Sequence, residues 1–242
     1  NKIDELFYGL QEWEMKSYLL NYVVGKSLNF YMPVYAGVDQ TDGKPMWYKV
    51  GHKGEPVHTF NPETMTKDET QIENLYQDTG KSRFAPHTGG FNLAAGWKGL
   101  TLNANFAFVL GKYLVDNNYF WNTGKSNLES NKGNADRDML DIWKQPGDLA
   151  SLPAFQYQSQ FDTHLLQNAS FLRLKDLTLA YELPKKWMDA SNFFQSVRFS
   201  FITRNLFTVT PFKGADPEID SNLSMGNYPA TRQFMLGIDV TF

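Results

Sequence analysis

The sequence predicts an all-β fold consisting of strands from a large antiparallel transmembrane β-barrel with long extracellular loops. Three observations predict it. Several segments alternate between apolar and polar residues, the connections between segments alternate between short and long, and aromatic residues stand beside the short connections. Half-apolar strands are expected of a barrel wall, because one face meets lipid and the other meets water.

The alternation is clearest at the end of the chain, where every second residue from Phe234 to Phe242 is apolar. Period two is the strand period, and a wholly apolar face must be covered by a second sheet or by lipid. Four further segments alternate in this way, and two aromatic-rich segments do so less regularly. The four are 91–97, 100–111, 177–183 and 197–201, and the two are 17–24 and 29–38.

One of the predicted strands is irregular. The leucines of "FLRL" (171–174) are out of phase with those of "LTLAYEL" (177–183). This offset predicts a β-bulge near Lys175 and Asp176. The alternative is that Arg173 and Lys175 point outward at the membrane surface.

The connections between the strands fall into two length classes that alternate along the chain. The short ones are 25–28, 97–99 and 184–195, and the long ones are about 39–87, 114–169 and 211–230. Pro184 predicts one helical turn in the third short connection, since proline suits the first helical position. Outer-membrane barrels pair short periplasmic turns with long outer loops, whereas a sandwich has no reason to sort its loops.

Aromatic residues beside the short connections are expected at the membrane interface, where a ring meets both apolar chains and water. These residues are Trp97, Trp187 and Phe242. The alternative is that they are ordinary core aromatics of a soluble sheet.

Composition narrows the class of protein. The chain has 242 residues and no cysteine, and the absence of cysteine excludes disulfides and thiolate metal sites. Its net charge of -3 gives no indication of nucleic-acid binding. We expect the chain to be either a processed protein or a fragment, because it begins without Met or a signal peptide. About seven strands are too few for a closed bacterial barrel, so we expect part of a larger barrel.

Motifs for covalent chemistry are weak. Gly-Lys-Ser occurs at 25–27, 80–82 and 124–126, each time without the earlier glycine of a phosphate-binding loop. We expect no cofactor, no metal and no catalytic residue. Asp216 and Glu218 could serve as glycosidase carboxylates, but an outer loop with an Asp-Pro turn is favoured. The segment 130–138 could hold calcium, but lacks EF-hand spacing and is expected to be a solvated loop.

Six aromatic residues of the long loops are candidates for substrate binding, since loops on a rigid scaffold often carry function. They are Tyr119, Phe120, Trp121, Trp143, Phe212 and Tyr228. Contact with a partner protein, an outer aromatic girdle and packing within the loops are the alternatives.

The sequence resembles the SusC/RagA family of TonB-dependent outer-membrane transporters. The resemblance is carried by "NASFLRLKDLTLAYELPKKW" (168–187), "RNLFTVTPFKGADPEID" (204–220) and "GNYPATRQFMLGIDVTF" (226–242), with weaker support from 24–48, 86–108 and 138–148. No pattern of the family accounts for residues 1–23.

The resemblance implies a 22-stranded barrel, of which 1–242 would be the C-terminal part without the plug domain and the N-terminal strands. It further implies an outer-membrane location, a SusD-like surface lipoprotein partner, TonB as the energy source, and import of glycans or peptides. Phe242 would be the terminal aromatic read by the barrel-assembly machinery. Six polar residues would face the lumen, namely Asn103, Asn105, Thr178, Glu182, Arg198 and Asp239.

Two rival interpretations come from other classes of protein. A soluble β-sandwich that binds carbohydrate predicts that Leu102, Phe106 and Leu179 face a protein core. A surface-exposed β enzyme predicts hydrolytic activity that depends on Asp216.

Overall fold

The computed structural model describes residues 2–125, 129, 134–157, 160–191 and 193–242. The described residues form fourteen strands, two α-helices and five short 3-10 helices. The strands are β1 (Glu12–Met15), β2 (Leu20–Val23), β3 (Asn29–Met32), β4 (Tyr35–Val38), β5 (Pro45–Tyr48), β6 (Met65–Thr66), β7 (Gln77–Ser82), β8 (His87–Trp97), β9 (Leu100–Leu110), β10 (Tyr113–Val115), β11 (Leu166–Asn168), β12 (Phe171–Glu182), β13 (Ser196–Val209) and β14 (Gln233–Thr241). The helices are α1 (Asn117–Thr123) and α2 (Lys185–Ser191), and the 3-10 helices are Phe7–Gly9, Lys16–Tyr18, Glu69–Asn74, Arg137–Asp141 and Thr163–Leu165.

Five long strands form one antiparallel sheet, here called the long sheet, in the order β14-β13-β12-β9-β8. All five segments in which a clean alternation predicts a strand lie in it. Two of its connections are short and meet at one end of the sheet, the hairpin end. The first is the turn after Trp97, and the second contains α2, directly after Pro184 as predicted. The two long connections, 111–170 and 210–232, leave from the opposite end, the loop end.

The predicted bulge in β12 is confirmed. The pairing of β12 with β9 and β13 shifts register between Leu174 and Asp176. Arg173 pairs with Ala107 and Thr208, so it lies on the same face as the polar residues of the sheet. The alternative in which Arg173 points outward is therefore wrong, and the extra residue of the bulge keeps both leucine runs on the apolar face.

The apolar face of the long sheet is not covered by a second sheet within the described residues. Leu93 is 54% exposed and Leu236 is 86% exposed, although both are large apolar side chains. Leu102 and Leu179 are also exposed, at 37% and 38%, and Phe106 is half-buried beside Phe91. A sandwich would bury these leucines, so their exposure is opposite to what the soluble-sandwich interpretation predicts.

The remaining strands form three small sheets at the loop end: β1-β2-β3-β7, β4-β5-β6 and β10-β11. Residues 17–24 and 29–38, predicted as less regular strands, belong to the first two and not to the long sheet. The turn at 25–28 therefore lies at the loop end, and the expected strict sorting of short turns to one end is wrong here. The reason is physical. Phe30 and Met32 are fully buried against Val115 and Leu165 of the long connection, and every residue of β4 is buried, so these strands pack against loop segments and do not extend the long sheet.

Among the described residues, no helix combines the length and the apolar character needed to cross a membrane.

Candidate functional site

The long connections together enclose one large cleft at the loop end, here called the loop cleft, of about 960 Å³. Residues from all three predicted long loops contribute to its walls. The first loop provides Lys53 and Lys81, the second provides Tyr119 and His164, and the third provides Lys213. A cleft built from segments so distant in sequence is a candidate site for binding a ligand.

Three tyrosines and three lysines give the loop cleft its chemical character. They are Tyr35, Tyr113, Tyr119, Lys53, Lys81 and Lys213. The Tyr119 hydroxyl donates to Asp138 Oδ2 at 3.1 Å, and Lys213 Nζ lies 3.8 Å from the same oxygen. Burial, followed by the charge of Asp138, raises the pKa of Tyr119 well above its ordinary value, so its phenol stays protonated and remains a donor.

The acidic side chain of Asp162 is buried beside the loop cleft at 1% exposure and is fully hydrogen-bonded. Its Oδ2 accepts from Trp47 Nε1 at 2.7 Å, and its Oδ1 accepts from the amide of His164 at 2.9 Å. The ring Nδ1 of His164 is 2.5 Å from the same Oδ1. The two side chains therefore share a hydrogen bond, in which the role of each ring nitrogen depends on the tautomer of His164.

Burial, followed by the charge of Asp162, raises the pKa of Tyr35. The ring of Tyr35 lies 5.2 Å from that of His164, so Asp162 stands behind the part of the cleft wall that Tyr35 and His164 form. Sequence reasoning missed the Asp162–His164 pair. Its only local signal was the "DTH" turn (162–164), because Trp47 is 115 residues away along the chain.

The structure separates the six aromatic residues predicted to bind substrate. Tyr119 lines the loop cleft, and Tyr228 and Trp121 are exposed, at 97% and 47%. Phe120 stacks on Phe161 with ring centroids 4.2 Å apart. Trp143 and Phe212, treated next, lie inside the loops.

Trp143 packs beside Trp47 and donates through Nε1 to the carbonyl of Gln40 at 3.1 Å. Phe212 is 5% exposed in a core with Leu114 and Ala169. Phe212 is thus buried within the loops, and Trp143 is half-buried there. The substrate role of all six aromatic residues stays a prediction.

The six residues predicted to face a lumen share one face of the long sheet, here called the polar face. In the strand register Asn103 is paired with Thr178, and Glu182 with Arg198, which is in turn paired with Asp239. Asn105 follows Asn103 by two positions on β9, and both side chains accept from Asn92, at 2.5 Å and 2.7 Å.

A buried ion-pair network fixes the third long loop to the polar face. Arg173 is 3% exposed, and its Nη2 donates to Asp216 Oδ1 at 2.7 Å while its Nη1 donates to Glu218 at 2.5 Å. Lys175 also reaches Glu218, at 2.6 Å. The amide of Ala230 donates to Asp216 Oδ2 at 2.9 Å, so both sides of the loop meet at one carboxylate.

This network pairs both carboxylates suggested for a glycosidase with basic side chains. Burial alone would raise the pKa of Asp216, but hydrogen bonds from Arg173 and from the amides of Ala230 and Glu218 outweigh it and hold that pKa below its ordinary value. A carboxylate that is ionised and occupied by donors is unsuited to act as a general acid.

No cluster of three or more metal-ligating side chains occurs within the part of the chain that the structure describes. The segment 130–138, considered for calcium from the sequence, begins in residues outside that part. Asp138, its last residue, is paired with Tyr119 and Lys213 instead.

The three predicted interface aromatics lie at the hairpin end and are all exposed: Trp97 at 70%, Trp187 at 59% and Phe242 at 66%. The structure adds two that the sequence analysis missed. Phe193 and Phe194 lie 5.2 Å and 5.6 Å from Phe242, measured between ring centroids.

No family model matches the sequence. The chain is 27% identical over 168 residues to the TonB-dependent receptor P3 of Formosa agariphila, which covers 64% of this chain and 16% of that protein. It is 33% identical over 86 residues to the TonB-dependent receptor SusC of Bacteroides thetaiotaomicron, covering 36% of this chain and 8% of that protein.

Solved structures of the RagAB peptide transporter match the whole chain. One superimposes with a TM-score of 0.87 at 36% identity and covers 26% of the matched chain. The importer in its open-open state gives a TM-score of 0.82 at 35% identity. The present chain thus spans about a quarter or less of the proteins it matches, and its fold is that of a portion of a SusC-like, all-β barrel. The chain is a portion of a TonB-dependent transporter of the SusC/RagA family.

Proposed function

We propose that this chain forms part of the wall and the outer loops of an outer-membrane importer of nutrient oligomers. The hairpin end lies at the periplasmic side and the loop end at the cell surface. The chain does no covalent chemistry. It separates lipid from a watery lumen and presents the loop cleft to incoming substrate.

The observation that carries this proposal is the two-sided long sheet. One face holds exposed leucines and phenylalanines, and the other holds Asn103, Asn105, Thr178, Glu182, Arg198 and Asp239. Such a sheet suits lipid on one side and water on the other, and its edges, β8 and β14, are expected to pair with further strands of the barrel. The six polar residues then line the lumen against the plug.

The partners and the substrate follow from the position of the loop cleft. A SusD-like surface lipoprotein covers the loop end, and TonB acts through a part of the transporter outside this sequence. Glycans and peptides are both candidate substrates. Peptides are the first class to test, because structures named for a peptide transporter match along the whole chain, whereas the match to SusC covers 36% of it.

The test is uptake by a strain that lacks the gene and is complemented with the full-length transporter. Fluorescent peptides from a protein digest and fluorescent oligosaccharides are supplied separately. Wild type is expected to restore uptake of one class. Lys53→Trp, which fills the loop cleft, is expected to lower that uptake severalfold. Lys26→Trp places the same side chain in an exposed turn away from the cleft and should leave uptake unchanged.

Equal uptake by the Lys53→Trp and Lys26→Trp variants would show that the loop cleft takes no part in import. Failure of wild type to restore uptake of either class would overturn the importer function itself.

A further inference from the structure

A lysine occupies an unusual backbone position at the hairpin end. The turn that joins β8 to β9 consists of Lys98 and Gly99, with φ values of 47° and 84°. Two-residue turns with both φ values positive favour Asn-Gly, since left-handed backbone costs energy for a residue with a long side chain. A lysine at this position is therefore not explained by the turn itself.

The side chain of Lys98 is held on the outward side of the sheet. Its ammonium lies 4.8 Å from the centroid of the Trp97 ring. Trp97 stands on the apolar face, two positions beyond Ala95 and four beyond Leu93, and is 70% exposed. A cation and an amphipathic ring are thus paired at the edge of the apolar surface.

A second basic group lies beside this turn. The carbonyl of Gly99 accepts from the amide of Glu182 at 2.9 Å, so the end of β12 is bonded to the turn. Lys185, Lys186 and Trp187 follow within five residues of Glu182, and all three are exposed.

The carboxylates of this end do not cancel the positive charge. Glu182 and Asp239 belong to the polar face, opposite to Trp97. Asp189 is the one acidic residue of α2. Three exposed lysines and two exposed tryptophans therefore lie at the hairpin end, where α2 contributes one carboxylate.

We propose that Lys98, Lys185 and Lys186 form a binding site for the phosphate groups of anionic phospholipids in the membrane leaflet at the hairpin end. Trp97 and Trp187 lie at the boundary between acyl chains and headgroups, and the lysines reach the headgroups above them. This proposal rests on the proposed placement of the long sheet in a membrane. It goes further by naming the class of lipid headgroup that the hairpin end would bind.

The test uses the purified full-length transporter, titrated in detergent with a phosphatidylglycerol or with the phosphatidylcholine of the same acyl chains. Bound lipid is counted by native mass spectrometry. Wild type is expected to bind the anionic lipid more tightly. Each lysine removed should weaken that binding about fivefold, the value expected of one basic residue near an anionic surface.

Lys98→Asn is the principal variant, because asparagine tolerates the left-handed backbone and the turn stays intact. Lys98→Arg keeps the charge and should retain the preference. Lys26→Asn is the matched control, since Lys26 is an exposed lysine of a turn at the loop end, where the same loss of charge should have no effect.

Equal binding of the two lipids by wild type, or equal loss in Lys98→Asn and Lys26→Asn, would overturn the lipid site. Neither result would touch the importer function as long as the same preparations insert into bilayers and wild type restores uptake. If the transporter does not insert into bilayers, the proposed function fails first.

Discussion

Replacement of Arg173 by methionine should release the third long loop from the polar face. Arg173 and Asp216 form a buried pair, with side chains 4% and 9% exposed. Removing one partner of such a pair costs about 3–5 kcal/mol, since a buried charge is left behind. Glu218 is 40% exposed, so water screens its attraction to Arg173, and losing that contact adds at most about 1 kcal/mol to the cost.

We therefore expect Arg173→Met to lower the free energy of local loop opening by about 3 kcal/mol, at the low end of that range because amides still bind Asp216. This loss corresponds to roughly a hundredfold in the opening equilibrium. Hydrogen exchange of the full-length transporter in a bilayer measures it directly. The amides of Glu218 and Ala230 are the reporters, since both donate to Asp216 at 2.9 Å.

Arg204→Met is the matched control for this measurement. Arg204 lies on the same polar face and its Nε is 3.5 Å from Asp176, but the two side chains are 58% and 45% exposed. An exposed pair contributes about 0–1 kcal/mol, so exchange should change less than about fivefold. Equal protection of the reporter amides in wild type and Arg173→Met would refute the conclusion that this network holds the loop.

Three further predictions concern other parts of the chain. Phe106→Arg places a charge on the apolar face and should cost about 2–4 kcal/mol in the free energy of folding into bilayers. Asn105→Arg, on the polar face, should cost far less. Equal costs would contradict the assignment of these two residues to opposite faces. Trp47→Phe removes the hydrogen-bond donor to Asp162 Oδ2 and should destabilise the loop region by about 1–3 kcal/mol. Hydrogen exchange of amides near the loop cleft measures this loss, and an unchanged exchange rate would contradict the prediction. Because folding lowers the pKa of Asp216, its ionised form stabilises the loop fully above the unfolded pKa of about 3.9. Protection of the Ala230 amide from exchange should therefore fall as the pH drops through the lower pKa of the folded state. The same acid sensitivity in Asp216→Asn would assign the effect to another group.

The strands of the long sheet were predictable because each has an apolar face that no second sheet of the described residues covers. Leu236 and Ile238 alternate with Gly237 and Asp239 in sequence, and the register places the two pairs on opposite faces. The bulge before Asp176 was also predictable, since one extra residue brings two out-of-phase apolar runs onto the same face.

The small sheets at the loop end were not predictable in the same way. Every residue of β4 and of β5 is buried, so no alternation marks a solvent side. One face of these strands packs on nearby residues such as Val57 and Met65, whereas Trp47 on the other face bonds to Asp162, 115 residues away. Local periodicity cannot encode such a contact.

The candidate site was predictable only in part, because an aromatic residue in a loop has two opposite uses. Tyr119 lies in the cleft wall while Phe212 is in a buried core, and both occur in long polar connections. Which of the two uses applies depends on tertiary packing. Arg173 was similarly hidden, because its partners Asp216 and Glu218 come from a different loop.

The central claim is that the long sheet separates lipid from water, and spin-label accessibility along β9 tests it most directly. The chain contains no cysteine, so labels can be attached through single cysteine substitutions at 101–106 without removing a native thiol from this region. In the full-length transporter in bilayers, labels at Leu102 and Phe106 should collide mainly with oxygen, which dissolves in lipid. Labels at Asn103 and Asn105 should collide mainly with a water-soluble nickel chelate. A pattern without period two, or one with the phases exchanged, would contradict the account.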